Sequence, residues 1–211
     1  MPRLDDLLAE GCPPLIAILR GIAPHEAGRL CEILIDAGIR IIEVPANSPG
    51  WLESIREMVA VAEGRALIGG GTILDAAQAS SLSEAGGRLL VAPNCNPAVI
   101  ARGLELGMDV MPGIFTPTEA LAAIAAGARH LKLFPASSLP VGHLQAMAQV
   151  LSRECGIWAV GGVDQSNMAQ WLAGGARGVA VGGSLFAPGL ALEAIEERAV
   201  QLVGAVSDAR L

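Results

Sequence analysis

Two side chains in this sequence have types and surroundings suited to covalent chemistry. Lys132 lies in His130-Leu131-Lys132-Leu133-Phe134-Pro135, between two leucines of an apolar run, and among 14 Lys and Arg residues it is the only lysine. Arginine stays protonated in proteins, whereas a desolvated lysine amine can lose its proton and become a nucleophile. Glu43, in Ile41-Ile42-Glu43-Val44-Pro45, is the one carboxylate inside the apolar part of a strand-like segment. Burial favours its protonated form, neighbouring cations oppose that, and the balance describes a general acid/base. The plainer readings are a lysine that snorkels at a strand end and a structural carboxylate paired with Arg20 or another cation.

The elements that must carry these residues alternate along the whole chain. A short N-terminal helix over 1–10, with Leu4, Leu7 and Leu8 at helical spacing, precedes the apolar run Leu15-Ile16-Ala17-Ile18-Leu19. Seven more apolar runs of strand length follow, each separated from the next by a helical pattern. They include Arg40 to Val44, Ala66 to Gly71, Arg88 to Pro93, Asp109 to Gly113, the lysine run, Ile157 to Gly161 and Gly178 to Gly182. Strands that are apolar throughout and alternate with helices belong to a parallel sheet covered on both faces. Eight such units predict an α/β fold, a (β/α)8 TIM barrel with a short N-terminal helix, as a single domain over residues 1–211. A doubly wound open sheet is the alternative architecture.

Barrels of this kind carry their site at the C-terminal strand ends. The polar residues falling there are Arg20, Glu43, Thr72, Asn94 and Lys132, with Gly161-Gly162 after the seventh strand and Gly182-Gly183-Ser184 after the eighth. Glycine-rich turns at the last two strands form the usual phosphate position, where backbone N–H groups converge on an anion. Arg20 and Thr72 supply a cation and a hydroxyl for a carboxylate, though either also suits an ordinary turn. Asn94 reads as a turn opening in Pro93-Asn94, and Trp51, Trp158 and Trp171 as packing residues. Together these residues describe an amine that attacks a ketone to form a Schiff base, whose iminium accepts electrons from an adjacent carbon–carbon bond. The implied substrate is a small phosphorylated keto acid, with no cofactor or metal required.

A net charge of −7 and the lack of a basic run argue against nucleic acid or an anionic membrane as partner. No apolar run reaches spanning length and no signal-peptide pattern is visible, so a cytoplasmic protein is expected. Cys12, Cys31, Cys95 and Cys155 have no ligand spacing and read as reduced thiols; His25, His130 and His143 are equally scattered.

The residues so assembled resemble the bacterial 2-keto-3-deoxy-6-phosphogluconate and 6-phosphogalactonate aldolases. The resemblance is carried by Ile18-Leu19-Arg20-Gly21-Ile22, Ile42 to Pro49, Gly69-Gly70-Gly71-Thr72, Leu131 to Pro135 and Ala159 to Val163. It implies class I lyase chemistry on a (β/α)8 barrel, usually a homotrimer. The family's Schiff-base lysine falls on Lys132 and its proton-transfer glutamate on Glu43. Its substrate-binding residues fall on Arg20, Thr72, Gly161, Gly182 and Gly183, with Gly162 and Ser184 in the same loops. Ala46-Asn47-Ser48-Pro49, and Val160 in place of a threonine, resemble the galactonate branch, whereas Gly183-Ser184 resembles the gluconate branch. The resemblance therefore implies cleavage of 2-dehydro-3-deoxy-6-phosphogalactonate to pyruvate and D-glyceraldehyde 3-phosphate, the alternative being the C4-epimeric gluconate substrate or both.

Overall fold

The computed structural model describes residues 1–152 and 154–209. Helix α1 (Leu4–Ala9) opens the chain, and parallel strands then alternate with helices as expected. The order is β1 (Leu15–Ile18), α2 (Pro24–Asp36), β2 (Ile41–Pro45), α3 (Trp51–Ala62), β3 (Leu67–Gly71), α4 (Ala76–Glu84), β4 (Leu89–Val91) and α5 (Pro97–Glu105). It continues with β5 (Asp109–Met111), β6 (Gly113–Ile114), α6 (Pro117–Ala125), β7 (His130–Leu133), a 3-10 turn (Ala136–Ser138) and α7 (Val141–Val150). β8 (Gly156–Val160), α8 (Met168–Ala173), β9 (Gly178–Val181) and α9 (Leu192–Asp208) complete it.

The expectation of eight strands is corrected in one place. The fifth is broken at Pro112 into β5, which pairs with β4, and β6, which pairs with β7. Proline has no N–H to give to the ladder. Its carbonyl still accepts from the Lys132 N–H at 2.8 Å, and Gly113 N–H reaches Asn94 O at 3.2 Å. The sheet therefore runs β5-β4-β3-β2-β1-β9-β8-β7-β6, and its two ends are consecutive pieces of one broken strand. Nine strand segments form an eight-staved, nearly closed barrel.

The two-residue period of each strand sorts side chains between two cores. Leu15, Ala17, Ile42, Val44, Ile68, Leu131, Leu133 and Val179 pack outward against the helices in the larger cluster. Ile16, Ile41, Leu67, Leu89, Val91, Met111, Trp158, Val160 and Ala180 fill the barrel interior. Leu4, Leu7 and Leu8 of α1 belong to this inner cluster, so the N-terminal helix plugs the barrel where the strands begin. Asp109 fixes the plug: its carboxylate accepts from Leu4 N–H at 2.8 Å and pairs with Arg3 at 2.9 Å. Beside it Asp5 lies 3.3 Å from the buried His130, whose other ring nitrogen meets the Trp158 indole at 3.2 Å. With that end closed, polar chemistry falls to the opposite end.

The helix starts that frame the opposite end follow their sequences. Asp75, Asn96 and Thr116 each accept from an N–H of the first turn of α4, α5 and α6, and Pro97 and Pro117 occupy first-turn positions. Among the described residues no helix is long and apolar enough to cross a membrane.

Candidate active site

Glu43 and Lys132 share the inward parity of their strands with Ile41 and Phe134, and so face the barrel interior. They are only 2% and 4% exposed. Burial pushes the Glu43 carboxyl up to about 7, with the charges of Lys132 and then Arg20 opposing it. Burial also pulls the Lys132 amine below its ordinary value; the Glu43 charge resists and the Arg20 charge assists. Each group feels the other, yet among the described residues no ion pair joins them. Glu43 Oε2 is buried without a hydrogen-bond partner. An unpaired buried carboxylate of this kind is expensive to maintain structurally, whereas a proton carrier needs a high proton affinity and an unoccupied oxygen. Among the described residues no ion pair joins Glu43 to Arg20 or to another cation.

Space for that carboxylate comes from β3. Pro45 is paired with Gly71 in the ladder, and a Cβ on Gly71 would run into the Glu43 carboxyl group. Lys132 in turn has its Nζ 4.6 Å from the centroid of the Phe134 ring, two residues on along the same strand and face. An aromatic face steadies the protonated amine while adding no acceptor that would hold it permanently charged.

Arg20 follows β1. Its guanidinium gives a 2.6 Å hydrogen bond to Asn47 Oδ1 in the loop after β2, and its charge acts on both Glu43 and Lys132. The next residue, Gly21, donates its N–H to the buried Ser48 hydroxyl at 2.9 Å. Thr72 follows β3 with φ 57°. A β-branched residue in the left-handed region costs on the order of 1–3 kcal/mol. That strain falls at the barrel mouth and turns the threonine away from the strand path.

The last two loops behave as a pair. Gly161 and Gly162 have φ of 91° and 73°, and a Cβ on Gly161 would press on the Phe134 ring at 3.1 Å. Ser184 Oγ donates to Val163 O at 3.3 Å, tying the loop after β9 to the loop after β8. Gly183 has open space where a side chain would project. The N–H groups of Gly162, Gly183 and Ser184 donate to no acceptor among the described residues. Free amides on glycine turns suit an anion with several acceptor oxygens.

The structure thus gathers Lys132, Glu43, Arg20, Thr72 and both glycine loops at one end of the barrel, as the strand-end reading expects. Asn94 lends its backbone carbonyl to the broken strand and carries no further part. Phe134 and Gly71 were not singled out by sequence reasoning as parts of the site; Asn47 and Ser48 entered it only as marks of the galactonate branch, with Asn47 beside Val160 expected to distinguish the substrate hydroxyl. Phe134 was within reach, since residues two apart on a strand share a face. Among the described residues no group of three or more His, Cys, Asp and Glu side chains could hold a metal ion.

Residues 9–205 match the family described as Aldolase: KDPG and KHG aldolase. A probable 2-dehydro-3-deoxy-6-phosphogalactonate aldolase of Rhizobium meliloti (strain 1021) is 47% identical over 91% of this chain and 91% of its own. The 2-dehydro-3-deoxy-6-phosphogalactonate aldolase of Escherichia coli (strain K12) is 42% identical over 93% of this chain and 96% of its own. A solved structure described as native KDPGal is 42% identical, covers 93% of this chain and 96% of its own, and superposes with a TM-score of 0.91. On the match along nearly its whole length and on these relatives, the chain belongs to the KDPG and KHG aldolase family.

Proposed function

We propose that the protein is a class I aldolase that cleaves 2-dehydro-3-deoxy-6-phosphogalactonate to pyruvate and D-glyceraldehyde 3-phosphate. The observation that carries the chemistry is the pair of buried, unbridged groups at the barrel mouth: an amine whose proton is loosened and a carboxyl whose proton is tightened, to about 7. The names of the relatives and Val160 at the mouth favour the galactonate epimer.

In this reading the unprotonated Lys132 amine attacks the C2 ketone and forms a carbinolamine. Protonation of its hydroxyl by Glu43 releases water and leaves an iminium between Nζ and C2. Glu43, now ionised, takes the C4 hydroxyl proton; the C3–C4 bond breaks and its electron pair flows into the iminium, giving the aldehyde and an enamine. Protonation at C3 and hydrolysis release pyruvate and restore the amine. Arg20 and Thr72 hold the C1 carboxylate, and the loops of Gly161, Gly162, Gly182, Gly183 and Ser184 hold the phosphate. Phe134 keeps the imine side of the pocket dry. The assembly is a homotrimer of the kind the family resemblance implies, working in the cytoplasm.

Reduction with borohydride in the presence of pyruvate tests the amine directly, because this chain has a single side-chain amine. The expected result is one stable adduct on the peptide containing Lys132, lost with activity in Lys132→Arg. An untrapped wild-type protein, or a Lys132→Arg variant that still turns over, would overturn the mechanism. Pyruvate release from the two C4 epimers then decides the substrate, with faster cleavage of the galactonate epimer expected. Equal rates would make it a dual-specificity enzyme, the outcome to which the gluconate-like Gly183-Ser184 points.

A further inference from the structure

The loop after β2 carries two polar residues that neither strand position nor charge marks as part of the chemistry. Asn47 Oδ1 accepts from Arg20 Nη1 at 2.6 Å, across 27 residues of sequence. One residue on, the buried Ser48 hydroxyl accepts from the backbone N–H of Gly21 at 2.9 Å. The same loop is thus fastened twice to the turn that bears the cation, once through the guanidinium and once through the backbone beside it. Gly21 itself has φ 83°, and a Cβ there would meet Pro188 at 2.9 Å, so the turn is also packed from the far side. An arginine held by its backbone alone keeps a long side chain with many rotamers, and ordering it on substrate arrival costs affinity. A guanidinium already held by a neutral acceptor keeps its full charge and its remaining N–H groups for a ligand. Among the described residues Arg20 makes no ion pair that would compete with that ligand.

We infer that Asn47 is a positioning residue that holds the Arg20 guanidinium ready for the substrate carboxylate. The role rests on the aldolase reading, in which Arg20 binds the C1 carboxylate shared by substrate and pyruvate. Asn47 therefore acts on binding rather than on the bond-breaking step. Because β2 also carries Glu43, one strand and its loop set both the proton carrier and the orientation of the carboxylate-binding cation.

The test measures two constants in the wild type, Asn47→Ala, Asn47→Asp, Arg20→Ala and the double variant Arg20→Ala/Asn47→Ala. These are the KM for the phosphorylated keto acid and the pyruvate concentration that gives half-maximal borohydride trapping at Lys132. Asn47→Ala should raise both by about tenfold, with kcat within about threefold of wild type, the loss expected for one charge-assisted hydrogen bond at a solvent-accessible site. Asn47→Asp, whose carboxylate would pair with the guanidinium at the present 2.6 Å contact and compete with the ligand, should raise both at least as far as alanine does. The double variant should bind no worse than Arg20→Ala alone, since the asparagine acts through the arginine. Unchanged constants in Asn47→Ala, wild-type binding in Asn47→Asp, or additive losses in the double variant would each refute the positioning role. Wild-type protein that releases pyruvate from neither epimer and is not trapped would instead refute the aldolase reading, and the role with it.

Discussion

Replacing Glu43 by glutamine should make the protein more stable at alkaline pH while removing most of its activity. Burial raises the carboxyl from 4.5 to about 7 in the folded protein, and each tenfold change in proton affinity is worth about 1.4 kcal/mol. Below about pH 4 the carboxyl is protonated in both folded and unfolded chains, so it contributes no pH-dependent difference. Between the unfolded and folded values the unfolded chain has already released its proton while the folded chain still holds it. The unfolded state then binds fewer protons, and stability falls as pH rises. Above about pH 7 the loss is complete at roughly 3 kcal/mol, the raised proton affinity expressed as free energy. Glutamine has nearly the same shape and cannot ionise, so it escapes the loss. Lys132 does not reverse the sign, because the value near 7 already includes its attraction and an amine freed from Glu43 can relax by shedding its proton. Urea unfolding of wild type and Glu43→Gln at pH 4.5 and pH 8.5 measures the effect as a difference of differences, in which other titrating groups cancel. The variant should gain roughly 2–3 kcal/mol on wild type between the two conditions, with kcat down about 10²–10⁴-fold. A stability gap that does not change with pH would show that Glu43 is not held with a raised proton affinity, and the assignment of the proton carrier would fail.

Two further outcomes follow from single atoms. Gly71 is not among the positive-φ glycines, so Gly71→Ala tests space rather than backbone strain. Its methyl would displace the Glu43 carboxyl group, and kcat should fall about 10²-fold. Wild-type kcat in a folded Gly71→Ala protein would mean the carboxylate works from another position. In α3 the Ser54 hydroxyl is fully buried with no hydrogen-bond partner. Ser54→Ala should therefore leave activity intact and raise stability by about 0.5–2 kcal/mol in urea unfolding, since alanine removes an unpaired hydroxyl from a helix. A loss of more than about 1 kcal/mol would show that the hydroxyl is satisfied in solution.

How much of this was readable in the sequence depends on whether the relevant geometry is local. Lys132 declared itself because apolar neighbours and a composition otherwise lacking lysine are visible one residue at a time. The strand ends followed from alternation, and with them Arg20, Thr72 and the two glycine loops. The Arg20–Asn47 contact joins loops of neighbouring strands, and nothing in either loop alone predicts that the side chains will meet. Gly71 was harder still, because its contribution is a missing side chain, and in Gly69-Gly70-Gly71 the sequence offers no sign of which glycine makes room for a carboxylate. The break at Pro112 was foreseeable from proline's missing N–H, but its harmlessness was not. Met111 and Gly113 keep the same parity on either side of it, so the interruption costs one hydrogen bond without turning any later residue to the wrong face. A one-residue slip there would have cost the Lys132 N–H its bond to the Pro112 carbonyl and Lys132 its place beside Gly113. On its other side β7 is held in step by β8, where Lys132 pairs with Trp158. Lys132 faces Glu43 across the barrel because the ladder on both sides of β7 agrees on its parity, a constraint that exists only once the barrel has closed.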